Sequence, residues 1–157
     1  GLKKDPDYEE ERFGHPSPLT MKFASSAANL KNKKLVASET ATWLGGHFKV
    51  ALSQVKPQID ELFTAGINHI ILHGITYNPP EKPFPGRLFY ASTNFGTESH
   101  FWNELPALNK YIERCQTVLQ NTKPQNDVLV YFPIHDLWSK KSTDELIIHL
   151  GVHHSRI

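Results

Sequence analysis

Within about 40 residues the chain passes from one apolar run through a helical pattern to a second apolar run, and that succession admits few folds. The first run, Leu35-Val36-Ala37-Ser38, ends in Glu39-Thr40 and gives way to the glycine-rich stretch Trp43-Leu44-Gly45-Gly46-His47. Pro57 then fits the first turn of a helix that places Ile59, Leu62 and Phe63 on one face, and Gly66 suits the left-handed position beyond its end. Ile67 to Leu72 is almost continuously apolar, the pattern of a strand covered on both faces. Strand, helix and strand at this spacing predict a right-handed βαβ unit. The expected fold class is α/β, with parallel strands.

The rest of the chain extends this reading. Leu19, Phe23, Ala27 and Leu30 recur at helical spacing before Asn32, a natural stop. After Pro106, Leu108, Ile112, Cys115 and Leu119 repeat every three or four residues and predict a second clear helix. Val128 to Phe132 reads as a third strand, and Thr143 to Leu150 as a weaker helix. Residues 1–20, charged and then proline-rich, read as a lead-in with a mobile start, and 21–157 as one α/β domain. Between His73 and Glu104 lies a stretch rich in Pro, Gly and aromatic residues. Loops of that length inside compact domains usually serve function.

Bulk properties remove several function classes. Lys and Arg total 17 against 16 for Asp and Glu over 157 residues, so no basic field favours nucleic acid or an anionic membrane surface. A neutral ligand such as a sugar suits this balance. No apolar run nears the roughly 20 residues of a membrane helix. The lone Cys115 rules out an intrachain disulfide and a multi-cysteine zinc site, and it reads as a core residue. G-x-G-x-x-G, P-loop, H-E-x-x-H and G-x-S-x-G motifs are all missing from the sequence. The opening Gly1-Leu2-Lys3, with no initiator Met or signal peptide, fits an excised piece.

Each apolar run ends in groups that can do chemistry, which predicts one shared site. Glu39 is the foremost acid or base, because a carboxylate at the C-terminal end of a parallel strand is held rigidly yet reaches a cleft. Set against that is a strand-end Glu that pairs with a lysine or caps a helix. His73, at the end of the next strand, can hydrogen-bond a substrate hydroxyl or shuttle a proton, or simply serve as a satisfied core histidine. Asp136, beside His135, follows the third run. The rings of Trp43, Tyr77, Phe95 and Trp102 suit the apolar faces of sugars, with Asn78, Asn94, Ser99 and His100 as partners for hydroxyls. The alternative is that these rings pack the long loop onto the sheet.

Several segments in order resemble a known family. Ala24-Ser25-Ser26-Ala27-Ala28-Asn29-Leu30, Lys34-Leu35-Val36-Ala37-Ser38-Glu39-Thr40 and Ala65-Gly66-Ile67-Asn68-His69 are similar to the barrel region of bacterial α-L-rhamnosidases of glycoside hydrolase family 106. Pro85-Gly86, Asn94-Phe95-Gly96-Thr97, Phe101-Trp102, Tyr111-Ile112-Glu113-Arg114-Cys115-Gln116 and Asp127-Val128-Leu129-Val130-Tyr131-Phe132 continue it, so the resemblance covers roughly residues 20 to 138. It implies a (β/α)₈ barrel that cleaves α-L-rhamnosides with inversion through two glutamates, with calcium as cofactor. Glu39 would be one site carboxylate, serving as general base or as a ligand for substrate or metal, and His73 and Tyr77 would line the subsite. The second glutamate has no match. A carbohydrate substrate, a role in polysaccharide degradation and a periplasmic or extracellular location are implied in the same way. A full barrel takes about 250 residues, so this chain reads as a segment of a larger hydrolase, inactive by itself and prone to self-association along an open sheet edge. The rival expectations are a non-catalytic carbohydrate-binding or structural module and a β-galactosidase-like barrel, whose members share the Ala-Gly-Ile-Asn turn.

Overall fold

The computed structural model of the chain describes residues 18–139 apart from 45 and 92. Helix α1 (Pro18–Leu30) precedes strand β1 (Ala37–Thr40), helix α2 (Leu52–Thr64) and strand β2 (His69–Leu72). A long irregular segment then leads to helix α3 (Leu105–Gln120) and the short helix α4 (Ile134–Ser139). β1 and β2 pair in parallel, with Ala37 opposite His69 and Thr40 opposite Leu72. The βαβ unit and the α/β class are thus present, on a sheet of two strands.

The chain enters and leaves these elements through specific backbone chemistry. α1 stops where Asn32 takes a left-handed conformation, φ 52°. The N–H of Lys33 donates to the Ala28 carbonyl at 2.8 Å and that of Asn32 to Asn29 at 3.1 Å, which satisfies carbonyls a helix end would otherwise orphan. α2 ends in the same way on Gly66, φ 90°, with the Ile67 N–H bonded to the Leu62 carbonyl at 3.0 Å. Ile67, Leu62 and Val36 then share a buried apolar cluster.

Gly66 is required twice over, because a Cβ there would also lie 2.8 Å from the Cβ of Ser25. That close approach lets Ser25 Oγ donate to the Ala65 carbonyl at 2.7 Å and fastens α1 to the end of α2. Buried Asn68 does the aligning. Its Oδ1 accepts from the Val36 N–H at 2.8 Å and its Nδ2 donates to the Lys34 carbonyl at 2.9 Å, which sets the entry of β1 beside β2. The Ala-Gly-Ile-Asn turn therefore stops a helix, receives another, fills the core and fixes the strand register.

Three boundaries differ from the sequence expectation. β1 begins at Ala37 rather than Leu35, and β2 at His69 rather than Ile67. α2 starts at Leu52, so Pro57 lies inside the helix instead of in its first turn. Gln54 Oε1 accepts from the Ala51 N–H at 2.8 Å and secures that earlier start. Pro57 cannot donate to the Ser53 carbonyl, but both residues are exposed and water can serve that carbonyl.

The expected third strand does not form. Val128 to Tyr131 is irregular and exposed, Leu129 to 90 %, and Phe132 meets the Phe23 ring edge-on at 4.9 Å. The reason lies on β2. Its outward-facing groups are already bonded, the Ile70 N–H to Gln116 Oε1 at 2.6 Å and the Asn68 carbonyl to Gln120 Nε2 at 2.7 Å. Two side chains of α3 thus occupy the edge that a third parallel strand would need. The helix expected at Thr143 to Leu150 lies outside the described residues, as does the lead-in up to residue 17.

The core lies on one side of the sheet. Ile70 and Leu72 pack against a cluster that includes Trp43, Val55, Ile59, Phe95, Phe101, Leu108 and Ile112, drawn from α2, α3 and the long segment. On the opposite face Ala37 and Glu39 are exposed and Ile71 is half open to solvent. No described helix is long and apolar enough to cross a membrane.

Candidate functional site

Three segments converge at the C-terminal edge of the strand pair. Immediately after β1, buried Ala41 adopts a left-handed conformation, φ 64°, that costs a residue with a Cβ about 1–2 kcal/mol. Both of its backbone groups are held: its N–H donates to Gln58 Oε1 at 3.2 Å and its carbonyl accepts from Thr93 N–H at 3.1 Å. After β2, the His73 N–H donates to the Thr40 carbonyl at 2.8 Å. Gly74 then bonds to both Thr93 and Phe95, at 3.0 and 3.2 Å, in the staggered manner of parallel strands. Residues 41–43, 73–74 and 93–95 are thus stitched side by side, which brings Asn94 to the edge that His73 occupies.

Glu39 lies within β1 rather than beyond it. It faces the open side of the sheet, paired in register with Ile71, and its Oε1 accepts a hydrogen bond from the Thr42 hydroxyl. The bond fixes the carboxylate beside the turn at Ala41 and leaves the side chain accessible. His73 is half-buried, edge-on to Phe89 at 5.3 Å, and its Nδ1 is buried with no hydrogen-bond partner among the described residues. A buried imidazole nitrogen in this state can meet a group that the described residues do not supply.

The remaining candidates separate by environment. Asn94 is half-buried, with its Oδ1 3.4 Å from His47 Nδ1. Trp43 is 3 % exposed and Phe95 1 % exposed inside the core, so these two rings take the packing role and offer no face to a ligand. Tyr77 is 74 % exposed and Trp102 39 % exposed, both free to present a ring. His100 is exposed and stands edge-on to Phe101 at 5.0 Å. Asp136 is exposed in the first turn of α4. Buried Ser99 carries a hydroxyl with no partner among the described residues.

A shallow, solvent-open cleft with enclosed space of about 10 Å³, room for about one water, adjoins this edge and is lined by Gly74, Thr76, Asn78, Arg87, Asn94 and Glu98 among others. The sequence singles out Asn94 and Asn78 here but passes over Arg87. The signal was the Pro85-Gly86 turn directly before it: Gly86 is left-handed, φ 78°, and a Cβ there would collide with the Asn78 amide. The cleft thus carries the Glu98 carboxylate, the Asn78 and Asn94 amides and the Arg87 side chain, while Glu39 and His73 do not line it. Calcium takes about six to eight oxygens from carboxylates, carbonyls and water, and no group of three His, Cys, Asp or Glu side chains gathers among the described residues.

The groups with displaced pKa values stand elsewhere, on α2 and α3. The Tyr111 hydroxyl, which donates to Asp60 Oδ1 at 2.5 Å, is pushed up to about 12, chiefly by that bond. Lys56 Nζ donates to Asp60 Oδ2 at 2.6 Å and lies 4.3 Å from the centre of the Tyr111 ring. This cluster ties the two helices together.

Comparison with known proteins identifies the family. The family described as alpha-L-rhamnosidase, glycoside hydrolase family 106, matches residues 7–146. A protein of Formosa agariphila provisionally named beta-glucuronidase is 31 % identical over 118 residues, which is 75 % of this chain and 10 % of that protein. The chain therefore spans about a tenth of the length of the curated relative it matches. No solved structure matches.

Proposed function

Because the chain belongs to the α-L-rhamnosidase family 106 of glycoside hydrolases, we propose that it is a sector of a (β/α)₈ catalytic barrel whose complete protein cleaves α-L-rhamnosides with inversion. The observation that supports this reading is the placement of Glu39 near the end of β1 and of His73 directly after β2, toward the C-terminal end of a parallel βαβ unit, where barrel enzymes keep their chemistry. The open face of the sheet, with Glu39 and Ile71, is the side that further strands would enclose.

In this reading Glu39 supplies one of the two carboxyl groups that glycoside hydrolysis requires. As general base it draws a proton from the attacking water, and as general acid it would deliver one to the departing oxygen. Inversion sets its partner about 6.5–9.5 Å away, with room for that water between them. Thr42 orients the Glu39 carboxylate, His73 Nδ1 takes a sugar hydroxyl, and Tyr77 and Trp102 offer rings to the sugar's apolar face. Calcium belongs to the same proposal only through the family, with ligands from outside the described residues. A periplasmic or extracellular setting fits a polysaccharide substrate.

Glu39→Gln in the complete parent protein tests the assignment. Loss of a general acid or base costs about 10²–10⁴-fold in turnover, whereas an exposed Glu→Gln change leaves the melting temperature close to that of the parent. Near-normal hydrolysis of an aryl α-L-rhamnoside by the variant would remove Glu39 from the mechanism. Proton NMR of the first-formed sugar reads inversion directly, because the released rhamnose must appear initially as the β anomer.

A further inference from the structure

We infer that Gln58, on α2, is a positioning residue for Glu39: by holding the backbone of Ala41 it aims the Thr42 hydroxyl at the carboxylate. The inference rests on the glycosidase reading above and deepens it, since it names the part of the helical layer on which the aim of Glu39 depends. Along β1 the side chains alternate as a strand requires, with Ala37 and Glu39 on the open face and Ser38 and Thr40 on the core side. An unbroken strand would turn Ala41 to the open face and Thr42, three residues after Glu39, to the core. The reverse is observed. Ala41 is fully buried beside Thr40, and the Thr42 hydroxyl donates to Glu39 Oε1. The left-handed turn at Ala41, φ 64°, makes the exchange.

A residue with a Cβ does not keep that conformation unaided, so the surrounding bonds decide whether it persists. Full burial withholds water from the Ala41 N–H, and the protein has to supply its acceptor. Gln58 Oε1 is that acceptor, at 3.2 Å, and it comes from α2 rather than from either strand. Gln58 is half-buried and adjoins Ile59, which is anchored in the core, so the amide arrives from a rigid support. The Ala41 carbonyl is held separately by the Thr93 N–H at 3.1 Å, a main-chain bond that no side-chain substitution removes. Gln58 is therefore a side chain through which the turn can be loosened without touching Glu39, Thr42 or the strands. Loss of its oxygen leaves a buried N–H unsatisfied, which favours a different backbone at Ala41 and takes Thr42 off the carboxylate.

NMR of the Glu39 carboxyl carbon in the folded 157-residue chain tests the coupling at neutral pH, with Thr42→Val as the reference for a lost hydroxyl bond. Gln58→Met, equal in length but without a comparable acceptor, should move the Glu39 resonance in the same direction as Thr42→Val. Gln58→Glu keeps an oxygen for the Ala41 N–H and should leave the resonance near its parent position. If the methionine variant does not fold, Gln58→Asn draws the amide back by one methylene and should give the same displacement. In the complete parent protein, Gln58→Met should lower kcat for an aryl α-L-rhamnoside about 10–100-fold, with KM within about twofold of the parent, because a reacting group is misplaced while substrate binding is not. Most of that loss should be recovered in Gln58→Glu. A Glu39 resonance unmoved by both Gln58→Met and Gln58→Asn, or equal kcat losses in Gln58→Met and Gln58→Glu, overturns the inference. A displaced resonance combined with normal hydrolysis by Glu39→Gln would instead remove Glu39 from the glycosidase reading and leave its coupling to Gln58 standing.

Discussion

On one face of the sheet Ile70 and Leu72 pack into the cluster that holds Ile59 and Leu108 and exclude solvent, whereas on the other Glu39 and Ile71 stand open to water although they belong to the same two strands. The closed face holds the apolar packing and the open face carries the candidate carboxylate. The difference teaches that the framework aiming Glu39 does not depend on whatever covers Glu39. It also separates stability from chemistry, so substitutions on the two faces should behave differently.

The strongest way to break that division is to truncate one isoleucine on each side. Ile59 is fully buried, and Ile59→Ala should cost about 3–4 kcal/mol of unfolding free energy from lost burial and the cavity left behind. Ile71 is 50 % exposed, and the same change there should cost less than about 1 kcal/mol. Urea titrations followed by circular dichroism measure both. Similar costs at the two positions would mean that the open face is covered in solution.

A second test targets the turn that aligns the strands. Gly66→Ala meets a left-handed backbone and a Ser25 side chain 2.8 Å from the new carbon, so a loss of about 2–3 kcal/mol is expected. Gly74, at the functional edge, has open space around its missing side chain, and Gly74→Ala should bring no comparable clash. Thermal melts of the two variants side by side distinguish a glycine required by packing from one that is not.

The edge of β2 gives a third and smaller test. Gln116→Ala combined with Gln120→Ala strips the side chains that bond Ile70 and Asn68, at a cost of about 1–2 kcal/mol for two hydrogen bonds. It also bares an unpaired strand edge next to an exposed apolar run, which favours association between chains. Sedimentation velocity should show a shift to larger species that the parent chain lacks at equal concentration. A variant that remains at the parent's size would show that the two glutamines do not guard the edge.

How far the sequence discloses these features depends on whether the information is local. Gly66 and Asn32 announce helix ends because a left-handed backbone is a property of one residue, and both ends fall where expected. The spacing of Leu108 and Ile112 reveals the buried side of α3 for the same reason. Val128 to Phe132 misleads because a strand needs a neighbour, and no periodicity tells that Gln116 and Gln120 hold the edge of β2. Trp43 misleads as a ligand platform, since a ring beside a glycine-rich stretch looks the same whether it packs inward or faces a cleft. The closure of the long segment escapes notice because Thr76 and Asn78 bond the backbone of Arg87, a pairing that becomes visible only when the loop folds back on itself.

The smallest expected effect concerns pH and the water-facing rim of the closed layer. Asp60 sits between Lys56 on its own helix and Tyr111 on α3. Burial pushes its carboxyl up, but the hydrogen bonds from Lys56 and Tyr111 together outweigh this and hold it below the usual carboxylate value. The resulting stabilisation is present above the unfolded value, near 3.8, and is lost as the pH falls through the lower folded value. Tyr111 acts at the other end of the scale. Its unfolded hydroxyl ionises near 10 and its folded one at about 12, so the contribution is complete below pH 10 and disappears as the pH rises through that interval. Solvent screening at this rim keeps each effect below about 1 kcal/mol. Parent minus Tyr111→Phe stability should therefore be steady from pH 7 to 10 and shrink by pH 12, while Asp60→Asn should remove both the acid and the alkaline dependence. A parent-to-Tyr111→Phe gap as large as that for Ile59→Ala would move the weight of the closed face from apolar packing to this polar cluster, and a gap unchanged at pH 12 would disconnect Tyr111 from Asp60.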